Sequence, residues 1–195
     1  MKTYRIKIDK TNKKHKLSAI SLVNDPASKE VFNAFSKQKS VKTIDEKMQM
    51  VGAILVPNSP MERFDENIGA YNVVFDEQSI EDAVHSARGD FSGLNIEHSL
   101  GVENGEAYVT EVWIKESEND KSSNYDMEHL PIGTAFARIQ VKDESIWNSV
   151  KEREINGLSP ELVSDLEEVA QEFSAQNTEA ELLKQIIALH KELKD

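Results

Sequence analysis

The chain has 195 residues, 38% of them hydrophobic, which is enough to bury one sizeable core with appendages and too few for two full domains. It contains no cysteine, which excludes disulfides, thiolate nucleophiles and cysteine-ligated metals. The net charge of −12 is uneven, with 12 Lys/Arg against 5 Asp/Glu in residues 1–50 and 11 against 30 in residues 51–195; an acidic body of this kind disfavours nucleic acid, whose phosphates are held by clustered Lys and Arg.

From the N-terminus, "TYRIKI" (Thr3–Ile8) alternates with period two and predicts a strand. "LSAISLVNDPA" (Leu17–Ala27) predicts a second strand ending in an Asn-Asp-Pro turn. Ser36–Lys47 is polar, lacks periodicity and is expected to be a mobile linker. The basic front could dock on an acidic protein or on a neighbouring copy, or simply be solvated. Met48–Pro57 is an apolar run of strand length, and the two prolines of "PNSPMERFDE" mark a loop. Ala70–Phe75 predicts a strand, and Asp76–Gly89 a helix with acidic residues in its first turn. Strands are expected at Gly93–Leu100 and Glu106–Glu116, joined as a hairpin through "GVENG". Ser117–Pro131 is a polar loop, expected to be a mobile flap near the functional site or a point of self-cleavage. Gly133–Val141 then predicts a strand and Asp143–Glu154 a helix. The tail "TEAELLKQIIALHKELKD" (Thr178–Asp195) predicts an amphipathic helix, with Thr178 and Glu181 as a capping box and Leu182, Ile186, Leu189 and Leu193 as its apolar stripe. That stripe would fold back on the core, pair with a second copy or meet a partner. The expected fold is α+β: a mostly antiparallel, about seven-stranded, closed or nearly closed β-barrel with flanking helices and a C-terminal amphipathic helix. No apolar run approaches the ~20 residues of a membrane span, and the expectation is a soluble, intracellular protein.

Without cysteine, a nucleophile must be Ser, Thr, Lys or a carboxylate, and a hydroxyl needs a nearby base. Of the five histidines, His15, His85, His98, His129 and His190, only His98 falls on a strand of the expected body. Period two puts it on the face of Leu94, Ile96 and Leu100, where it is either a core histidine or a base held by packing. On the next strand Glu111 shares a face with Ala107, Val109 and Trp113, where it must be paired or neutralised unless that face is solvated. A hairpin would bring His98 and Glu111 together and orient the imidazole. Ser159 lies in "INGLSPEL". Ser-Pro-Glu-Leu is a strong helix-start signature, with Ser159 as the N-cap and Pro160 in the first turn. There is no Gly-x-Ser-x-Gly elbow, and Pro160 has no N–H to offer an oxyanion, so any such donor must come from elsewhere.

Four segments, "AISLVNDPASKEVF", "NIEHS" followed by "VTEVWI", "IGTAFARIQVKDESIWNSVKERE" and "INGLSPEL", lie in an order and spacing that resemble the prohead maturation proteases of tailed bacteriophages, of the clan sharing the herpesvirus assembly protease fold. The resemblance spans residues 19–162 and implies Ser159 as nucleophile and His98 as base. For the third member, phage relatives imply an acidic residue between the two, which Glu111 fits; Glu116, Asp126 and Asp143 share the interval, and the herpesvirus alternative, a downstream histidine, leaves His190. Pro160 departs from the small residue and glycine that often follow the family's serine. The implied protein is a serine endopeptidase that cleaves scaffold and major capsid proteins, and its own chain as a further target, inside the assembling prohead in the host cytoplasm. It would need no metal or cofactor, bind neither nucleic acid nor membrane, and self-associate through the C-terminal helix. Residues 1–173 would form the protease-like domain, with 1–47 as its basic front, and 174–195 the helix. The alternatives are a non-catalytic capsid assembly protein of the same fold and an esterase-like hydrolase.

Overall fold

The computed structural model describes residues 1–24, 41–44, 47–87, 93–98, 100–102 and 105–169. They form twelve strands, two α-helices and one 3-10 helix. In chain order the strands are β1 (Lys2–Lys7), β2 (Lys16–Val23), β3 (Val41–Ile44), β4 (Gln49–Leu55), β5 (Met61–Asp65) and β6 (Gly69–Val74), then helix α1 (Glu77–Ser86). After it come β7 (Leu94–Ile96), β8 (Leu100–Val102), β9 (Ala107–Ile114), the 3-10 helix Lys121–Tyr125, β10 (Ala135–Val141), α2 (Glu144–Lys151), β11 (Gly157–Val163) and β12 (Asp165–Val169).

The expected barrel does not form. The strands make three open four-stranded sheets, ordered β12-β1-β6-β5, β3-β4-β10-β9 and β11-β2-β7-β8. Most pairings are antiparallel, but β1 runs parallel to β6 and β2 parallel to β7. Closure requires the first and last strands to pair, and among the described residues no pairing joins β12 to β5, β3 to β9 or β11 to β8. Strand density along a sequence reports how much sheet there is; whether a sheet closes depends on long-range register, which leaves no local signal. Among the described residues the fold class is therefore mostly β with two α-helices. Additional strands lie where none was expected: β3 inside the supposed linker, β5 inside the two-proline loop, and β11 where a helix was to begin. Part of the supposed linker and the tail helix 178–195 lie outside the described residues.

The two helices do occur as expected. Asp76 caps α1, accepting from the Ser79 amide at 2.8 Å, and Asp143 caps α2, accepting from Ser145 at 2.8 Å and Ile146 at 3.0 Å. One core cluster gathers Leu17, Ile20 and Leu22 of β2, Met50 and Ile54 of β4, Ile80 of α1 and Ile139 of β10. A smaller one sets Trp113 against Phe136, the rings stacked at 5.1 Å, with Val51, Met127 and Leu130.

The polar segment Ser117–Pro131 packs onto this smaller cluster through a fully buried lysine. Lys115 is 0% exposed, and its ammonium donates to the carbonyls of Glu128 at 2.6 Å and Leu130 at 2.7 Å, with Glu118 at 3.7 Å. Asp120 adds a second tether by accepting from Trp113 Nε1 at 3.2 Å. Removing the ammonium would strand two carbonyls. Lys115→Met is therefore expected to lose about 3 kcal/mol in urea unfolding and to expose 117–131 to limited proteolysis; an unchanged midpoint would count against this tether.

Candidate functional site

β11 carries "GLSPELV" as a strand, so Ser159 caps no helix. Proline is tolerated here because β11 is the outer strand of its sheet, where a missing N–H need not break a ladder on both sides. β11 pairs antiparallel with β2, setting Ser159 opposite Ser21, and β2 pairs parallel with β7, setting Ser21 opposite Asn95. Residues in register share a face, so three polar side chains form a row across the sheet. Glu161, two residues beyond Ser159, stands on the same side.

The two serines of this row are buried, Asn95 and Glu161 are partly exposed, and the row is bonded around one carboxylate oxygen. Glu161 Oε1 accepts from Asn95 Nδ2 at 2.5 Å and from Ser21 Oγ at 3.0 Å, and lies 3.2 Å from His98 Nδ1. His98 Nδ1 is also 2.8 Å from Ser21 Oγ. Ser21 is 0% exposed and Ser159 1% exposed, and among the described residues the Ser159 hydroxyl has no hydrogen-bond partner. A buried hydroxyl without a partner is costly and uncommon in native proteins. Partial burial works to raise the Glu161 carboxyl, but hydrogen bonds from Asn95, Ser21 and His98 hold it below its ordinary value.

His98 does not sit on the apolar face of a strand. The expected strand Gly93–Leu100 breaks into β7 and β8, which pair with each other, and Glu97 and His98 occupy the turn with φ of 50° and 57°. Non-glycine residues rarely adopt this left-handed conformation, and two in succession mark a turn fixed by its surroundings. The anchors are visible: the Glu97 amide donates to the Leu22 carbonyl at 3.1 Å, and the Glu97 carboxylate accepts from the Asn24 amide at 2.6 Å. The imidazole is thus presented half-exposed at the end of the polar row.

Glu111 lies in a different sheet from His98. β9 pairs with β10, not with the strand before it, and a register shift skips Thr110, so Val109 and Glu111 no longer follow simple alternation. Its carboxylate pairs with Lys121 and with Arg138, the latter at 3.5 Å. The structure thus brings Ser159, His98 and Glu161 to one sheet and leaves Glu111 outside. Of the other acidic candidates, Asp143 caps α2 and Asp126 pairs with Lys42. Ser21, Asn95 and Glu161 are the members that local patterns missed; the one available signal was an acidic residue on the same strand face as Ser159, hidden by the helix-start reading of Ser-Pro-Glu.

A cleft of about 660 Å³ opens beside the row, between β11–β12 and the face of β5 and β6. His98 and Pro160 line it; Ser159 does not. His98 therefore belongs both to the polar row and to the cleft wall.

A family model described as "Putative phage serine protease XkdF" matches residues 38–168. No curated protein and no solved structure matches the chain.

The network also carries a pH signature. The Glu161 carboxyl is lowered on folding from an unfolded value of about 4.3, so its contribution to stability is full above that value and is lost as pH falls through the lowered folded one. Glu161→Gln is expected to flatten the acid limb of a urea-midpoint profile below about pH 4.5. The lowered Asp76 and Asp120 carboxyls remain and keep part of the slope. An identical limb in the variant would show that the ionised form is not what the network holds.

Proposed function

The chain belongs to the family of phage serine proteases whose model spans its residues 38–168, and from that premise we propose an endopeptidase of prohead maturation that cuts scaffold and capsid proteins, with Ser159 as nucleophile and His98 as base. The observation that carries the assignment is the His98–Glu161 contact of 3.2 Å in the same row as a buried serine hydroxyl that no described residue engages. Glu161, not Glu111, takes the orienting role in this reading. With Nδ1–H directed at Glu161 and Ser21, the other ring nitrogen, Nε2, keeps its lone pair for proton abstraction.

In the proposed reaction Nε2 accepts the Ser159 proton as Oγ attacks the peptide carbonyl. The imidazolium is balanced by Glu161, then gives its proton to the leaving amine. Water, deprotonated by the same nitrogen, releases the acyl group and restores Ser159. No hydrogen bond joins Ser159 to His98 in the free protein, and nucleophile–base contacts of this kind commonly tighten only when substrate is bound. Pro160 supplies no amide to the oxyanion, so its donor lies on another segment. Kinship with the herpesvirus assembly protease, action within the prohead and self-cleavage belong to the same proposal, and no step needs a metal or cofactor.

The 1% exposure of Ser159 favours one alternative, a non-catalytic capsid assembly protein in which the row is structural. A fluorophosphonate probe separates the two, since an activated serine is labelled at Ser159 and a structural one is not. On scaffold protein, Ser159→Ala is expected to abolish cleavage. Glu161→Gln should lower turnover roughly 10²–10⁴-fold, and Glu111→Gln should leave it unchanged. A Glu111 variant as impaired as the Glu161 variant would move the orienting role back to β9.

A further inference from the structure

The cleft beside His98 has a chemical character of its own. Its walls are apolar, with Met61 and Val73 from the β5–β6 pair, Phe75 beyond it, and Leu162 and Leu166 from the opposite side. Val163 and Leu166 are 48% and 42% exposed at its mouth, so apolar surface that a partner could cover is open to solvent there. Into this setting β5 sends one cation. Period two puts Arg63 on the same face as Met61, and the register sets Met61 opposite Val73 and Arg63 opposite Tyr71, all four lining the cleft.

Arg63 is half-buried and unmatched. Among the described residues no carboxylate forms an ion pair with it, and its one hydrogen bond is a 3.4 Å contact to the adjacent Glu62 carbonyl. Among the described residues no carboxylate lines the cleft, and the ionisable groups facing it are Arg63, His98 and Tyr71. Burial disfavours its charge, and an unpaired, partly desolvated guanidinium gains most from a planar anion that accepts two parallel hydrogen bonds. Residues 51–195 carry 11 Lys/Arg against 30 Asp/Glu, so an inward-facing cation without a partner runs against the composition around it. At about 660 Å³ the cleft also exceeds one side chain and suits a short stretch of extended polypeptide.

We propose that this cleft selects substrate polypeptide carrying a glutamate side chain flanked by apolar residues, with Arg63 binding the carboxylate and the β5–β6 and β11–β12 walls covering the neighbours. The inference rests on the protease reading for the word substrate, because His98 is the residue shared by cleft and site. Binding itself can be read without any cleavage.

The test uses Ser159→Ala protein and two pools of fluorescein-labelled peptides with randomised apolar flanks, identical except for a central Glu or Gln. Anisotropy is expected to show the Glu pool binding about tenfold tighter or more. That preference should vanish in the added variant Arg63→Gln and survive largely in Arg63→Lys, with thermal unfolding unchanged in both. Equal binding of the two pools, no binding of either, or a Glu preference that persists in Arg63→Gln overturns the assignment. Failure of the protease reading would register separately, as scaffold cleavage that continues in Ser159→Ala.

Discussion

The antiparallel pairing of β11 with β2 is the constraint on which the candidate site depends. It sets Ser159 opposite Ser21, and the parallel neighbour β7 then sets Asn95 opposite Ser21. A one-residue slip in this register would turn Ser159 and Glu161 to the other face and leave Asn95 and Ser21 facing apolar side chains. Hydrophobic partners enforce the register: Leu17, Ile20 and Leu22 of β2 and Leu158 of β11 are buried in the main core. The apolar face thus positions the polar one.

Gathering four polar side chains, two of them buried and two partly so, is expensive unless they satisfy one another. Glu161 answers most of that cost by accepting from Asn95, Ser21 and His98 at one oxygen. Within the row two atoms stay unsatisfied among the described residues, Ser159 Oγ and Asn95 Oδ1. Sites that act on other molecules carry such unfinished bonding, because a group fully satisfied within the protein has little left to offer a substrate. The same logic applies to Arg63, whose guanidinium faces a cleft and not a carboxylate. By contrast Lys115, equally unusual as a buried cation, finds two carbonyls and is structural.

Where local patterns misled, the cause is identifiable. "NIEHSL" contains no glycine, proline or Asn-Gly signal, so nothing in it announces the turn at Glu97 and His98, both in the left-handed region; Leu22 and Asn24, far away in sequence, anchor Glu97, and Ser21 and Glu161 meet the His98 ring. Ser-Pro-Glu has the composition of a helix start, and the pairing of β11 along β2 overrides that preference. Glu111 looked placed for His98 because alternation was carried through a bulge and across a hairpin that does not exist.

The sequence by itself determined what is local or compositional: a mostly β body, the two capped helices, the absence of thiol chemistry, and a serine and a histidine in an order that resembles phage proteases. Each follows from residue types and short-range periodicity, which are written in consecutive positions. Only the tertiary structure decided that the sheets stay open, that Glu161 is the carboxylate beside His98, and that Arg63 looks into the cleft beside it. Those facts depend on which strands pair and in what register, between residues as far apart as Asn95 and Glu161, 66 positions, and Ser21 and Glu161, 140 positions. Pairing at that range is settled by burial summed over the whole core, and no short stretch of the chain carries that sum.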